Sequence, residues 1–155
     1  MTSTLLGKAI RIAATVHEKQ LDKGGKAYIL HPLRVMMRLR TDDDEMNCIA
    51  VLHDACEDSE GTVTIESLRA EGFTERILVA LDLLTRRKGQ SYDEYIRKIA
   101  TNRDAIRSKK DDLRDNGDIT RLKGLRDQDF ERIRRYHRAF VFLCKAEAAM
   151  NEVGY

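Results

Sequence analysis

Apolar residues recur three and four positions apart along almost the whole chain. They do so at Leu5, Ile10, Ala13 and Ala14 up to His17, at Ile49, Val51 and Leu52, at Ile77, Leu78, Leu81 and Leu84, and at Ile133, Phe140, Phe142 and Leu143. That spacing keeps side chains on one face of a helix, and no run of alternating β-branched residues competes with it. Breaks fall at Gly24-Gly25, Thr41 to Asp44, Gly61, Gly72, Gly89 and Gly117, while Thr41, Thr64, Thr74 and Ser91 stand where N-caps belong. The pattern predicts an all-α bundle with helices over 3–21, 32–40, 44–57, 64–71, 74–86, 91–101, 103–115 and 127–151. Pro32 suits the first turn of the second helix, where its missing N–H costs nothing. No repeat, low-complexity stretch or linker divides the chain, so a single domain over 1–155 is expected.

Composition narrows the function classes. At 155 residues, 42% hydrophobic and 35% charged, the chain has the make-up of a globular domain rather than a disordered or fibrous protein. Lys and Arg number 28 against 26 Asp and Glu, and a net charge of +2 gives no reason to expect a nucleic-acid partner. Charge interrupts every apolar run before the roughly 18 residues that a membrane span needs, and no signal pattern opens the chain. A cytoplasmic protein with no membrane partner is the expectation. Cys48, Cys56 and Cys144 are an odd set without zinc-site spacing, which suits structural thiols.

The segment from Ala50 to Asp58 carries the strongest chemical signal, because an apolar helical stretch suddenly bears His53, Asp54, Glu57 and Asp58. On an unbroken helix, His53 and Glu57 lie about 40° apart, as do Asp54 and Asp58, so four polar groups line adjoining faces. A His-Asp dipeptide alone says little: four histidines and fifteen aspartates in this chain give about 0.4 of them by chance. Two further places add weight. His31 precedes Pro32 at a helix start, where an imidazole can be aimed inward, and Asp112 and Asn116 form an acid–amide pair four residues apart. Asp112 falls about 20° from Ala105 around its helix and Asp111 about 120°, so Asp112 is the one expected to point inward. His17 and His137 are assigned no ligand role.

The order His31, then His53-Asp54, then Asp112 resembles the HD superfamily of metal-dependent phosphohydrolases. Three longer stretches resemble the hydrolase domain of the stringent-response (ppGpp) enzymes and their small single-domain relatives. These are His17 to Pro32 with Gln20, Gly25, Tyr28 and His31-Pro32, then Leu52 to Asp58 with its Glu-Asp pair, then Lys109 to Asn116. Together they span roughly residues 9 to 143. The resemblance implies an all-α HD-type helical bundle in which His31, His53, Asp54 and Asp112 bind one divalent ion, with Glu57 and Asp58 as the catalytic acids. Lys23, Tyr28, Asn116 and Arg121 would contact the substrate, a small-molecule nucleotide of the guanosine 3′,5′-bis(diphosphate) class. Two imidazoles and two carboxylates suit an octahedral ion, Mn²⁺ first, with Fe²⁺, Zn²⁺, Ni²⁺ and Mg²⁺ as the other candidates. The chain departs from that pattern at Asp22, where those enzymes carry an arginine lying against the guanine base, and at Ala27, where they carry proline. An acid at that place removes a stacking surface and reverses its charge.

Two other readings are weighed against the hydrolase. A nucleotide sensor with this fold would not need the Glu57-Asp58 pair. An interaction module built on Arg132, Arg134, Arg135 and Arg138 is disfavoured by the interleaved Glu131 and the preceding Asp127 and Asp129, which predict a solvated, ion-paired helix face.

Overall fold

The structure, a computed structural model, describes residues 4–153. Among the described residues the regular elements are helical. They are α1 (Leu5–Val16), α2 (Leu30–Arg38), α3 (Asp44–Leu52), the single turn α4 (Ala55–Asp58), α5 (Ile65–Ala70), α6 (Glu75–Leu84), α7 (Tyr92–Ile99), α8 (Arg103–Asn116) and α9 (Asp127–Glu152), with a 3-10 turn over Ile119–Arg121. This is the all-α bundle that the apolar spacing predicts.

At its centre is α3. Met46 and every residue from Cys48 to Leu52 are fully buried, and the helix packs against α1, α2, α6 and α8. From Cys48 onward α3 is apolar all round, and such a stretch must be covered all round. The surrounding helices each contribute a stripe to the same core, among them Ala9 and Ala13 from α1, Ile77, Leu81 and Leu84 from α6, Ile99 from α7, Ile106 from α8 and Leu143 from α9. All three cysteines are free thiols, and burial pushes the Cys48 thiol up to about 12, so it stays protonated as a packing residue.

Capping explains several boundaries. Thr64 with Ser67 and Ser91 with Glu94 form reciprocal capping boxes, and Asn102 caps α8 through the Ala105 N–H. Asp43 rather than Thr41 caps α3, and Thr41 instead accepts from the Asp43 N–H.

Three boundaries differ from the expected ones, and each difference serves the site. The first helix ends at Val16, not at residue 21. The His17 ring bonds the Gln20 side chain at 2.7 Å, and the chain then doubles back so that Leu21 bridges Ala27 and the Tyr28 N–H donates to the Gln20 carbonyl. Asp22 holds this turn: its Oδ1 accepts from the Gly24 and Lys26 amides at 2.8 and 2.9 Å, and Gly25 takes φ +81°, a conformation costly for residues with a Cβ. The second helix starts at Leu30, which makes Pro32 its third residue and puts His31 inside the first turn. The helix expected over 44–57 breaks at His53-Asp54. The His53 Nδ1 donates to the Ala50 carbonyl at 2.7 Å, the same carbonyl that an unbroken helix would offer to the Asp54 N–H. Glu57 and Asp58 therefore belong to a separate turn, and the 40° relation to His53 and Asp54 does not hold.

Candidate active site

α2 packs on both α3 and α8, and this brings the three motif stretches together. His31 comes from the first turn of α2, His53 and Asp54 from the break between α3 and α4, and Asp112 from the inward face of α8. The His31 Nε2 lies 3.2 Å from the His53 Nε2 and 3.6 Å from the Asp54 Oδ2, and the His53 Nε2 lies 3.0 Å from that oxygen. Potential ligand atoms of these three residues all fall within 4.8 Å of one another. Asp112 adjoins both rings, its Oδ1 being 3.1 Å from the His31 Nε2 and 3.5 Å from the His53 Nε2. Neighbouring ligands around an octahedral ion with bonds of about 2.1 Å are about 3.0 Å apart, so these separations match the edges of a coordination sphere.

The protonation pattern fits a cation as well. Each imidazole has an acceptor at its Nδ1: the Asp115 Oδ2 at 2.7 Å for His31 and the Ala50 carbonyl at 2.7 Å for His53. With the Nδ1 proton engaged, each neutral ring presents its Nε2 lone pair to the cluster, the form that binds a metal. Burial opposes protonation of His31, but its contacts with Asp112 and Asp115 outweigh that and raise its pKa. His53 behaves likewise, with burial outweighed by Asp54 and Asp112. Burial also works against the charge of the carboxylates. Even so, His53 holds Asp54 low, and Lys109 with both imidazoles holds Asp112 well below the usual carboxylate range. His31, His53 and Asp54 thus form a group that could hold a divalent ion, and Asp112 sets a second carboxylate against both rings.

Neighbouring side chains fix the donors in place. The Tyr28 phenol donates to the Asp54 Oδ2 at 2.6 Å, and Lys109 donates to the Asp112 Oδ2 at 2.7 Å. The Asn116 amide donates to the Asp112 Oδ1 at 2.5 Å. His17, Tyr28, His31 and His53 form a ring series with successive centroid separations of 4.9, 5.3 and 5.1 Å.

The remaining candidates are more dispersed. Glu57 and Asp58 lie on the exposed side of α4. Glu57 accepts the Arg86 N–H at 3.1 Å and Asp58 accepts from Gln20 at 3.1 Å. Partial burial raises both carboxyl groups, and the nearby Asp54 adds to the effect. Lys23 is exposed, with burial of its amine and the facing Arg132 lowering its pKa. Tyr28 and Asn116, expected against the substrate, each donate to a carboxylate of the cluster, Tyr28 to Asp54 and Asn116 to Asp112. Arg121 is drawn inward, with its Nη1 3.4 Å from Asp115 and 3.6 Å from Asp22. His17 is buried against Gln20, and His137 is exposed.

Two residues escaped the sequence reading. Asp115, fully buried, orients His31 while accepting two bonds from Arg34, at 2.8 and 3.0 Å. Lys109 supplies the counter-charge of Asp112. Both sit three residues from Asp112 on one helix, so that spacing was the available signal.

No protein-family model matches the chain, and no curated protein matches it in sequence. Among solved structures the chain is similar to one described as a metazoan ortholog of SpoT that hydrolyzes ppGpp and plays a role in starvation responses. The TM-score is 0.75 at 19% sequence identity, covering 99% of this chain and 95% of that one. The chain has the all-α HD-type fold of that protein.

Proposed function

We propose that the chain is a divalent-metal-dependent phosphohydrolase that removes a phosphate or pyrophosphate group from a nucleotide, with guanosine 3′,5′-bis(diphosphate), cleaved at its 3′ position, as the substrate class. The observation that carries this reading is the close grouping of His31, His53 and Asp54, with Asp112 against both rings, just before the acidic pair of α4. The description of the similar solved protein as a ppGpp hydrolase supports it. A divalent ion in such a shell acidifies water and polarises a phosphoryl oxygen.

The chain's own residues would do the rest. Glu57 and Asp58, both raised by partial burial, accept and return protons at their carboxylate oxygens, one serving the attacking water and the other the leaving group. Tyr28 and Lys109 keep Asp54 and Asp112 in place, and Asn116 leaves its amide oxygen to meet the substrate. Lys23 stands on the exposed loop beside Arg132, where a substrate phosphate would find positive charge. Arg121 acts through Asp115 and Asp22. Asp22 is committed to its own turn and offers the base no stacking surface, so selection of guanine would fall to other groups.

The test is pyrophosphate release by the Mn²⁺-loaded protein from a nucleotide panel that includes guanosine tetraphosphate. Glu57→Gln should reduce turnover by about 10²–10⁴-fold while the protein keeps its ion. Nucleotide binding without release from any member of the panel would contradict the hydrolase and leave a sensor.

A further inference from the structure

Of the four arginines that follow Asp129, two are neutralised on their own helix: Arg132 pairs with Asp129 at 2.7 Å and Arg134 with Glu131 at 3.1 Å. Arg135 and Arg138 are not. They line a groove of about 310 Å³ between α7 and α9, and Arg97 joins them from α7. Among the described residues no carboxylate approaches these three guanidinium groups within 4.0 Å. Arg97 donates through its Nε to the Asp93 carbonyl at 3.2 Å, and Arg135 lies over the Tyr92 ring, 5.2 Å from its centroid. Like charges held around a common space without a counter-ion repel one another, and an anion relieves that repulsion.

The rest of the lining narrows the class of anion. Ile96 and Ala139 make a buried apolar floor, and Tyr92 with the 43% exposed Phe142 supplies aromatic surface. A bare inorganic ion gains nothing from these four residues, whereas a flat ring does. Asp93 is the one acid in the lining. It repels a naked polyanion but accepts a bond from a ring N–H or a sugar hydroxyl. The volume lies at the lower end of small-molecule sites and suits one nucleotide.

We propose that this groove is a second binding site, one for a nucleoside mono- or diphosphate, with its ring against Tyr92 and Phe142 and its phosphate between Arg97 and Arg138. None of its residues belongs to the His–Asp cluster or to the acidic pair of α4, and the inference stands apart from the proposed hydrolysis.

Equilibrium dialysis of the chelator-treated full chain against GDP, ADP, guanosine and inorganic phosphate tests it. Wild type should bind GDP or ADP in a component that Arg97→Ser combined with Arg138→Ser weakens at least tenfold, and that Arg97→Lys with Arg138→Lys retains in part. Guanosine and phosphate should each bind at least tenfold more weakly than the diphosphates. Both arginines are exposed, so circular dichroism should be unchanged, and nucleotide hydrolysis by the Mn²⁺-loaded Ser variant should equal that of wild type. Absence of binding by wild type, equal binding by the Ser variant, or phosphate competing as well as GDP would each overturn the site. Arginine-dependent binding in a protein that hydrolyses no nucleotide would uphold this groove and remove the hydrolase.

Discussion

Replacing Asp115 with asparagine changes one buried atom from acceptor to donor and should uncouple His31 from the metal site. In the native arrangement the Asp115 Oδ2 accepts from the His31 Nδ1 at 2.7 Å and from the Arg34 Nη2 at 3.0 Å, while Oδ1 accepts from the Arg34 Nε at 2.8 Å. An asparagine can offer its single oxygen to only one side. If it faces His31, its NH₂ meets the Arg34 Nε, donor against donor. If it faces Arg34, the His31 Nδ1–H loses its acceptor and the ring is free to rotate or change tautomer. The partners of this oriented histidine are worth about 10–100-fold in metal affinity, or about 1.4–2.8 kcal/mol. Removing the charge of a fully buried, Arg-paired carboxylate costs up to about 3–5 kcal/mol of folding stability in addition. The assay is a Mn²⁺ titration against a competing chromophoric chelator, at a temperature where circular dichroism shows the variant folded. A variant that is folded and binds Mn²⁺ within twofold of wild type would refute the role given to Asp115.

Acidity should act in opposite directions on the metal-free and metal-loaded forms. His31 and His53 have folded-state pKa values raised above 6.5, so in the metal-free protein they stabilise the fold below the unfolded value, and that contribution is lost as pH rises through the folded ones. Asp54 and Asp112 are depressed, so their contribution is constant across pH 6–8. Thermal unfolding with chelator should therefore show stability falling from pH 6 to pH 8, and with Mn²⁺ rising, because protons and metal compete for the same Nε2 atoms; parallel curves would contradict this. Asp22→Arg should weaken the protein rather than restore a guanine-binding surface, since it removes the acceptor of the Gly24 and Lys26 amides and a partner of Arg121. A melting temperature unchanged with enhanced selectivity for guanine would show otherwise.

The helical spacing made most of the fold legible, because tertiary packing here reinforces local preference: the capping boxes at Thr64 and Ser91 and the apolar faces of α6 to α9 lie within two residues of where the pattern places them. Legibility failed where side chains compete with the backbone. Nothing in the residues from Ala50 to Asp58 lowers helix propensity enough to signal a break, which arises only because the His53 ring takes the Ala50 carbonyl. At the Val16 end of α1, the His17 ring bonds Gln20 and the chain turns back to pair Leu21 with Ala27, contacts that apolar spacing does not record. In the charged run from Lys109 to Asn116, both Asp111 and Asp112 are buried, and only Asp112 meets the histidines while Asp111 turns to Arg114. Asp115 was hidden for the same reason: in a helix rich in acids, periodicity tells which residues share a face but not which neighbour waits there. The arginines of α9 show this too, since only α7 packing beside them separates the paired ones from those of the groove.

The central claim is that His31, His53, Asp54 and Asp112 share one ion. Anomalous diffraction at the manganese edge from crystals of the Mn²⁺-loaded protein tests it most directly. A single strong peak roughly 2.0–2.3 Å from the Nε2 atoms of both histidines and from an oxygen of each aspartate is the predicted result. A manganese peak bound elsewhere, with these four side chains left on their own hydrogen bonds, would contradict it.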